Sequence, residues 1–217
     1  MPVFNGQEYL ENSIASILNQ QYVNFEFLLL DDGSNDNTYK IMQHFRNHDD
    51  RIKIFKNNKN LGLTKSLNKL IYKSSGKFLA RQDADDISLP DRFSKQLDFM
   101  FQKNIRVSTT RAYIKNSNKV IPGMSFYIPN KVAINYKNPF IHGTLMIERS
   151  LMFEYNCYNE EYTYSQDYEL FYRMIKHGEK LLSLRTPLYV LSMENNISTM
   201  FKQDQKKFAK KVRSSIK

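Results

Sequence analysis

Phe25-Glu26-Phe27-Leu28-Leu29-Leu30-Asp31-Asp32-Gly33-Ser34 is the stretch on which the fold turns. A nearly unbroken apolar run that ends in two acids and a glycine reads as a short strand, buried on both faces and closing in a polar turn. Outward from it, residues 52–55 and 78–80 are further short strands. Between them lie helical stripes: Leu10, Ile14, Ile17 and Leu18 within 9–18, and Leu67, Leu70 and Ile71 within 64–72. Strand–helix–strand alternation at this spacing predicts right-handed βαβ units and a parallel sheet.

After about Gln102 the alternation decays. Residues 107–121 predict a strand pair around Lys115-Asn116-Ser117-Asn118, and 122–139 has no clear period. Residues 145–147 are apolar, 167–177 read as helix and 188–191 as strand. The expected architecture is one α/β domain over 1–201, with a nucleotide-binding half (about 1–102) and an irregular acceptor half (about 103–201). A basic tail, 202–217, follows.

Composition narrows the class. The 217 residues are 41% hydrophobic and 25% charged, which excludes wholesale disorder and supplies a full core. A single cysteine, Cys157, excludes a disulfide framework and a thiolate-rich zinc site, and reads as a small core residue. No uncharged apolar run approaches the ~20 residues of a membrane span, and no export signal opens the chain. A cytoplasmic protein is the expectation. Of the net charge of +10, +6 falls on 202–217, so the body is only mildly basic. A nucleic-acid binder would carry that charge on a folded face with stacking side chains, so no specific nucleic-acid partner is expected.

In open parallel sheets, ligands bind beyond the carboxyl ends of the strands. Two acidic clusters fall there: Asp31-Asp32-Gly33-Ser34 and Asp83-Ala84-Asp85-Asp86. Either alone would suit a solvated turn capping the next helix. Two at matching strand ends repel each other unless a cation or hydrogen-bond donors intervene. A hard divalent ion shared with phosphates, Mg²⁺ or Mn²⁺, is the natural partner. Asn60-Leu61-Gly62, with Asn68 beyond, reads as a helix start whose N–H groups face a phosphate or as an ordinary loop. Neither a G-x-G-x-x-G nor a G-x-x-x-x-G-K-[ST] pattern occurs, which argues against dehydrogenase and P-loop classes. Lys65 reads as a solvated lysine, and Arg81 and Arg92 as braces for the acidic loop.

Taken in order, Pro2-Val3-Phe4-Asn5, Asp31 to Asp36, Asn60-Leu61-Gly62-Leu63 and Ala80 to Asp86 resemble the family 2 glycosyltransferases of GT-A fold. Asn138-Pro139-Phe140-Ile141-His142-Gly143 and Ser165-Gln166-Asp167-Tyr168-Glu169-Leu170 extend the resemblance to roughly residues 1–200. The resemblance implies a Rossmann-like, mostly parallel central sheet with helices on both faces. It implies an inverting displacement in which an acceptor hydroxyl attacks the anomeric carbon of a nucleotide-diphosphate sugar. By the same resemblance Pro2, Phe4 and Asn5 line the base and ribose pocket, and Asp31, or Asp32 in its place, holds the base. Asn60 and Asp83 complete the nucleotide-sugar contacts, Asp85 with Asp83 holds the metal, and Asp167 is the general base. His142 and Gln166 lie on the acceptor side. The implied donor is a UDP-sugar of hexose or N-acetylhexosamine type. The implied acceptor is a glycan or lipid-linked precursor of a surface polysaccharide or lipooligosaccharide.

Three departures stand against the pattern. The family's first strand runs several residues before Pro-x-aromatic-Asn, where here Met1 alone precedes Pro2; Gln166 replaces a frequent Glu; and Ser192 and Glu194 stand where many relatives have Arg-x-His. A non-catalytic module of the same fold and a nucleotidyltransferase are the competing readings. Tyr158, Tyr162, Tyr164 and Tyr168 suit either sugar stacking or core packing. In the tail, Phe201, Phe208, Val212 and Ile216 fall near one helical face among Lys206, Lys207, Lys210, Lys211 and Arg213. That pattern predicts a helix lying on an anionic membrane, and a peripheral location at its inner face.

Overall fold

A computed structural model describes residues 1–117, 119–193 and 201–215. The run that opened the sequence analysis forms β2 (Phe27–Asp31), flanked in parallel by β1 (Pro2–Val3) and β3 (Ile52–Lys56). Pro2 pairs with Leu30 and Val3 with Asp31, while Phe27 to Asp31 pair in register with Ile52 to Lys56. The crossovers are α1 (Leu10–Leu18) and α2 (Thr38–Arg46), and α3 (Leu63–Lys73) leads out of β3. Leu29 and Leu30 are fully buried, as a run packed on both faces requires.

The remaining strands form a second sheet. β4 (Phe78–Ala80), β5 (Ile87–Ser88), β6 (Val107–Ile114), β7 (Val120–Ile121), β8 (Met146–Glu148) and β9 (Leu181–Leu191) run in the order β4-β8-β6-β9-β5, with β7 on β6. Only β6 and β9 are parallel; β4–β8, β6–β8, β6–β7 and β5–β9 are antiparallel. The expected fold class holds, with a parallel sheet and helices, but a single mostly parallel sheet does not. The tight turn after β6 returns the chain antiparallel, and without a helical crossover a parallel partner is out of reach. β2 and β4 lie in different sheets. Where the sheets part lies an apolar cleft of about 600 Å³, lined in part by Met1, Phe27, Leu67, Phe78 and Leu79, with no aspartate on its walls.

Packed on the second sheet are α4 (Arg92–Lys103), α6 (Arg149–Glu154) and α7 (Gln166–Lys176); α5 (Asn130–Ala133) is tied to β9 by Asn130 Nδ2, which donates to the Leu181 carbonyl (3.0 Å), and α8 (Lys202–Ser215) lies on α7. One core joins Leu10, Ile14, Leu29 and Met42 to Phe93 and Met100. The other gathers Leu67, Ile147, Leu170, Phe171 and Leu181, and Val212 of α8 belongs to it. This corrects the expectation for the tail. The helix forms, but Val212 is fully buried and Phe208 meets the rings of Tyr162 and Tyr164, so its apolar face is spent on the domain rather than on a membrane. Ile216 and Glu194 lie outside the described residues. Among the described residues, no helix is long and apolar enough to cross a membrane.

Candidate active site

The first wall is built by two turns that clasp each other. After β1 the chain bends through Asn5 at φ 50°. Asn5 N–H donates to Ser34 Oγ (2.9 Å), and its Oδ1 accepts from Asn35 N–H (3.0 Å). Gly6 N–H donates to Thr38 Oγ1 (2.7 Å), so this wall closes onto the start of α2. Pro2 is buried in β1, and Phe4 is exposed beside the clasp.

At the end of β2 the two aspartates divide their work. Asp31 is fully buried; its Oδ1 accepts from Ser34 N–H (2.9 Å), whereas Oδ2 has no hydrogen-bond partner among the described residues and only Lys56 Nζ at 3.8 Å. A buried carboxylate oxygen without a donor is costly, and it marks a place where a ligand N–H fits. Asp32 accepts from Asn57 Nδ2 (2.7 Å), Leu61 N–H (2.9 Å) and Gly62 N–H (3.0 Å). The N–H groups expected to face a phosphate are thus taken by Asp32. Asn60 Oδ1 also accepts from Gly62 N–H (2.9 Å), and Asn68 turns inward, donating to the Tyr158 carbonyl (2.9 Å).

The second wall is the acidic loop after β4. Asp83 forms an ion pair with the buried Arg81, and its N–H donates to the Tyr189 hydroxyl (3.1 Å). Ser13 Oγ of α1 donates to the Asp83 carbonyl (2.8 Å), which ties this loop to the first wall. Asp86 points inward, accepting from Ser192 N–H (2.7 Å) and from Tyr189. Burial, then Asp83 and Asp85, push its carboxyl well up. Asp85 is half-buried, and burial followed by the Asp83 charge pushes its carboxyl up to about 6. Behind the loop the fully buried Arg92 donates to Gln96 Oε1 (2.9 Å) and Ser88 Oγ (2.8 Å), bracing the loop as expected of it.

The third wall is the start of α7. Asp167 lies in its first turn, and its Oδ2 accepts from Asn138 Nδ2 (2.7 Å). Burial raises the Asp167 pKa, and the Asp83 charge adds to the rise. Gln166, beside it, is buried. His142 Nε2 and the Tyr158 hydroxyl share a hydrogen bond of 2.7 Å; burial and Arg81 push the imidazole well below its usual pKa. Asp83 therefore acts on both Asp85 and Asp167, and the Tyr9 phenol is raised by burial and then by Asp85 and Asp36. The Tyr9 hydroxyl donates to the Asn5 carbonyl (3.3 Å) and Ser13 to Asp83, which links the first wall to the second, and the Asp83 charge reaches the third at Asp167.

Sequence reasoning missed Tyr189, Ser13, Asn138 and Gly143. A Cβ on Gly143 would lie 2.6 Å from the Tyr189 oxygen and 2.8 Å from Asp83 Oδ2, so a larger residue there must displace one of these side chains. Asn138 lay within a quoted segment, but nothing local points a side chain at a residue 29 positions away.

Does this site suit a cation? Among the described residues, no group of three or more His, Cys, Asp or Glu side chains gathers to hold a metal by itself. The Asp85 carboxyl is half-buried and raised by burial and by the charge of Asp83, and a hard cation between the two carboxylates would relieve that repulsion. Two carboxylates fit an open site whose remaining ligands are phosphate oxygens.

The family model for glycosyl transferase family 2 matches residues 1–173. The chain belongs to that family. A putative glycosyltransferase of Bacillus subtilis, EpsE, is 31% identical over 87% of this chain and 70% of its own length. The UDP-Glc:alpha-D-GlcNAc-diphosphoundecaprenol beta-1,3-glucosyltransferase WfgD of Escherichia coli is 31% identical over 81% of this chain and 68% of its own. Among solved structures, S. aureus TarS 1-349 in complex with UDP-GlcNAc superposes with TM-score 0.76 at 19% identity, over 90% of this chain and 58% of that one. The mannosyltransferase PcManGT of Pyrobaculum calidifontis, in complex with GDP-Man and Mn²⁺, gives TM-score 0.79 at 16% identity, over 99% of this chain and 63% of that one. The fold shared by this family 2 chain and both neighbours is GT-A.

Proposed function

We propose that this protein transfers a sugar, with inversion, from a nucleotide-diphosphate sugar to a hydroxyl of a glycan or lipid-linked acceptor in surface polysaccharide or lipooligosaccharide synthesis. The observations that support the reading are that the Asp83 charge reaches both Asp85 and Asp167, and that a buried Asp31 oxygen lacks a hydrogen-bond donor among the described residues. A nucleobase N–H fits the Asp31 oxygen. A UDP-sugar of hexose or N-acetylhexosamine is the favoured donor, supported by the UDP-Glc specificity in the name of the Escherichia coli relative and by UDP-GlcNAc in one neighbour.

In this reading the acceptor oxygen attacks the anomeric carbon as the bond to the diphosphate oxygen breaks. The hydroxyl proton passes to Asp167, which Asn138 orients through its amide. A Mg²⁺ or Mn²⁺ held by Asp83 and Asp85 would take up negative charge on the diphosphate leaving group. Arg81 fixes the Asp83 carboxylate, and Tyr189 and Ser13 fix its backbone. Asn5 and Asp32 hold the turns that frame the nucleotide, with Asn60 and Phe4 at their rim. His142 and Gln166 lie on the acceptor side.

Isothermal titration with UDP, GDP and Mn²⁺, followed by donor-hydrolysis assays over common nucleotide sugars, tests the reading. Binding of a nucleoside diphosphate together with sugar release is the expected result. An absence of both would return the chain to a non-catalytic member of its family.

A further inference from the structure

Between Asp98 and Glu148 the sequence holds no aspartate or glutamate. Within this acid-free stretch, residues 124–136 turn apolar side chains outward: Met124 is 85% exposed, Tyr127 58%, Ile128 44%, Val132 49% and Tyr136 76%. Their spacing is regular. Met124 and Tyr127 lie one turn apart on the 3-10 turn Met124–Tyr127. Val132 and Tyr136 are four positions apart along α5 and its exit, while Ala133 and Ile134 are buried. Isolated exposed apolar side chains need no explanation, but five of them within thirteen residues are what a contact surface would present.

Charge identifies the partner. Lys131 and Lys137 are exposed within and beside the group. Arg213 of α8 donates to the Tyr136 carbonyl (3.3 Å), so the end of that basic helix lies against it. Along α8, Lys206, Lys207 and Lys210 are exposed. Aromatic and aliphatic side chains flanked by lysines match the boundary between headgroups and acyl chains of an anionic bilayer.

We propose that residues 124–136, with Lys131, Lys137 and the exposed lysines of α8, form a docking surface for an anionic lipid bilayer. It rests on the reading above for its purpose alone, since Asn138, which holds Asp167, directly follows the surface and a docked bilayer would meet the acceptor side of the site. It replaces the apolar face of α8, which the fold consumes.

The test is sedimentation of the full chain with vesicles of phosphatidylcholine, with and without phosphatidylglycerol. Binding is expected to anionic vesicles and to weaken with salt. Tyr127→Ser with Val132→Ser, and separately Lys131→Glu with Lys137→Glu, should each lower vesicle affinity by about tenfold. UDP affinity and melting temperature should stay unchanged. Three results overturn the proposal: anionic vesicles left unbound, both variants binding as the unaltered chain does, or RNA binding that displaces vesicles and ignores the apolar substitutions. Vesicle binding without UDP binding would leave the surface standing and overturn the transferase reading instead.

Discussion

Asp167 shows how a single environment sets a role. Its carboxyl is raised by burial, while the Asn138 amide favours the ionised form and partly offsets that rise. Only the ionised carboxylate can accept the acceptor's proton, so turnover should fall as pH drops through the raised pKa. The acid limb of kcat/KM is expected above the ordinary carboxylate range, and Asn138→Ala should move it to higher pH. A pH–rate profile of both proteins checks this. Asp167→Asn should cut turnover by roughly 10²–10⁴-fold and leave calorimetric nucleotide affinity within a few-fold. Gly143→Ala works through space instead. The new methyl would press on Tyr189 and Asp83 Oδ2, so Mn²⁺-dependent UDP binding should weaken by more than the melting temperature falls.

Between elements, the site depends on loops that touch through backbone. Gly33 has φ +77°, and a Cβ there would lie 2.6 Å from the carbonyl carbon of Lys59. Gly33→Ala therefore strains the turn and pushes the 57–62 loop from Asp32, and nucleotide binding should drop in titration calorimetry. Arg92 is the matching device for the acidic loop. Replacing it with alanine leaves Ser88 and Gln96 without their buried donor, at a cost of about 3 kcal/mol by chemical denaturation.

For the molecule as a whole, α8 is part of the domain. Val212 is fully buried, and Ser165 Oγ, just before α7, donates to Gln205 Oε1 (2.8 Å). Val212→Ala should cost on the order of 2 kcal/mol in denaturant unfolding. Removing residues 202–217 should destabilise the fold rather than merely shed charge. A truncated protein as stable as the full chain would show that α8 adds nothing to the core.

The sequence by itself determined the elements whose local signal is strong. The apolar run before Asp31 reads as buried strand, the stripes at Leu10 and Leu67 read as helix faces, and the motifs from Pro2-Val3-Phe4-Asn5 to Ser165–Leu170, taken in order, resemble one family. Burial on both faces and the 3.6-residue period leave their mark in adjacent residues. Tertiary structure alone decided the division into two sheets, because strand partners are chosen by connections far apart in sequence. It also gave Asp31 and Asp32 different tasks, although they are adjacent and chemically identical. One is left with a buried oxygen lacking a donor, and the other is saturated by Asn57, Leu61 and Gly62. The amphipathic pattern of α8 specified an apolar face but not what would cover it. The hydrophobic effect has no direction, so a membrane and a groove beside Tyr162 satisfy the same pattern, and only the folded chain shows that the groove took it.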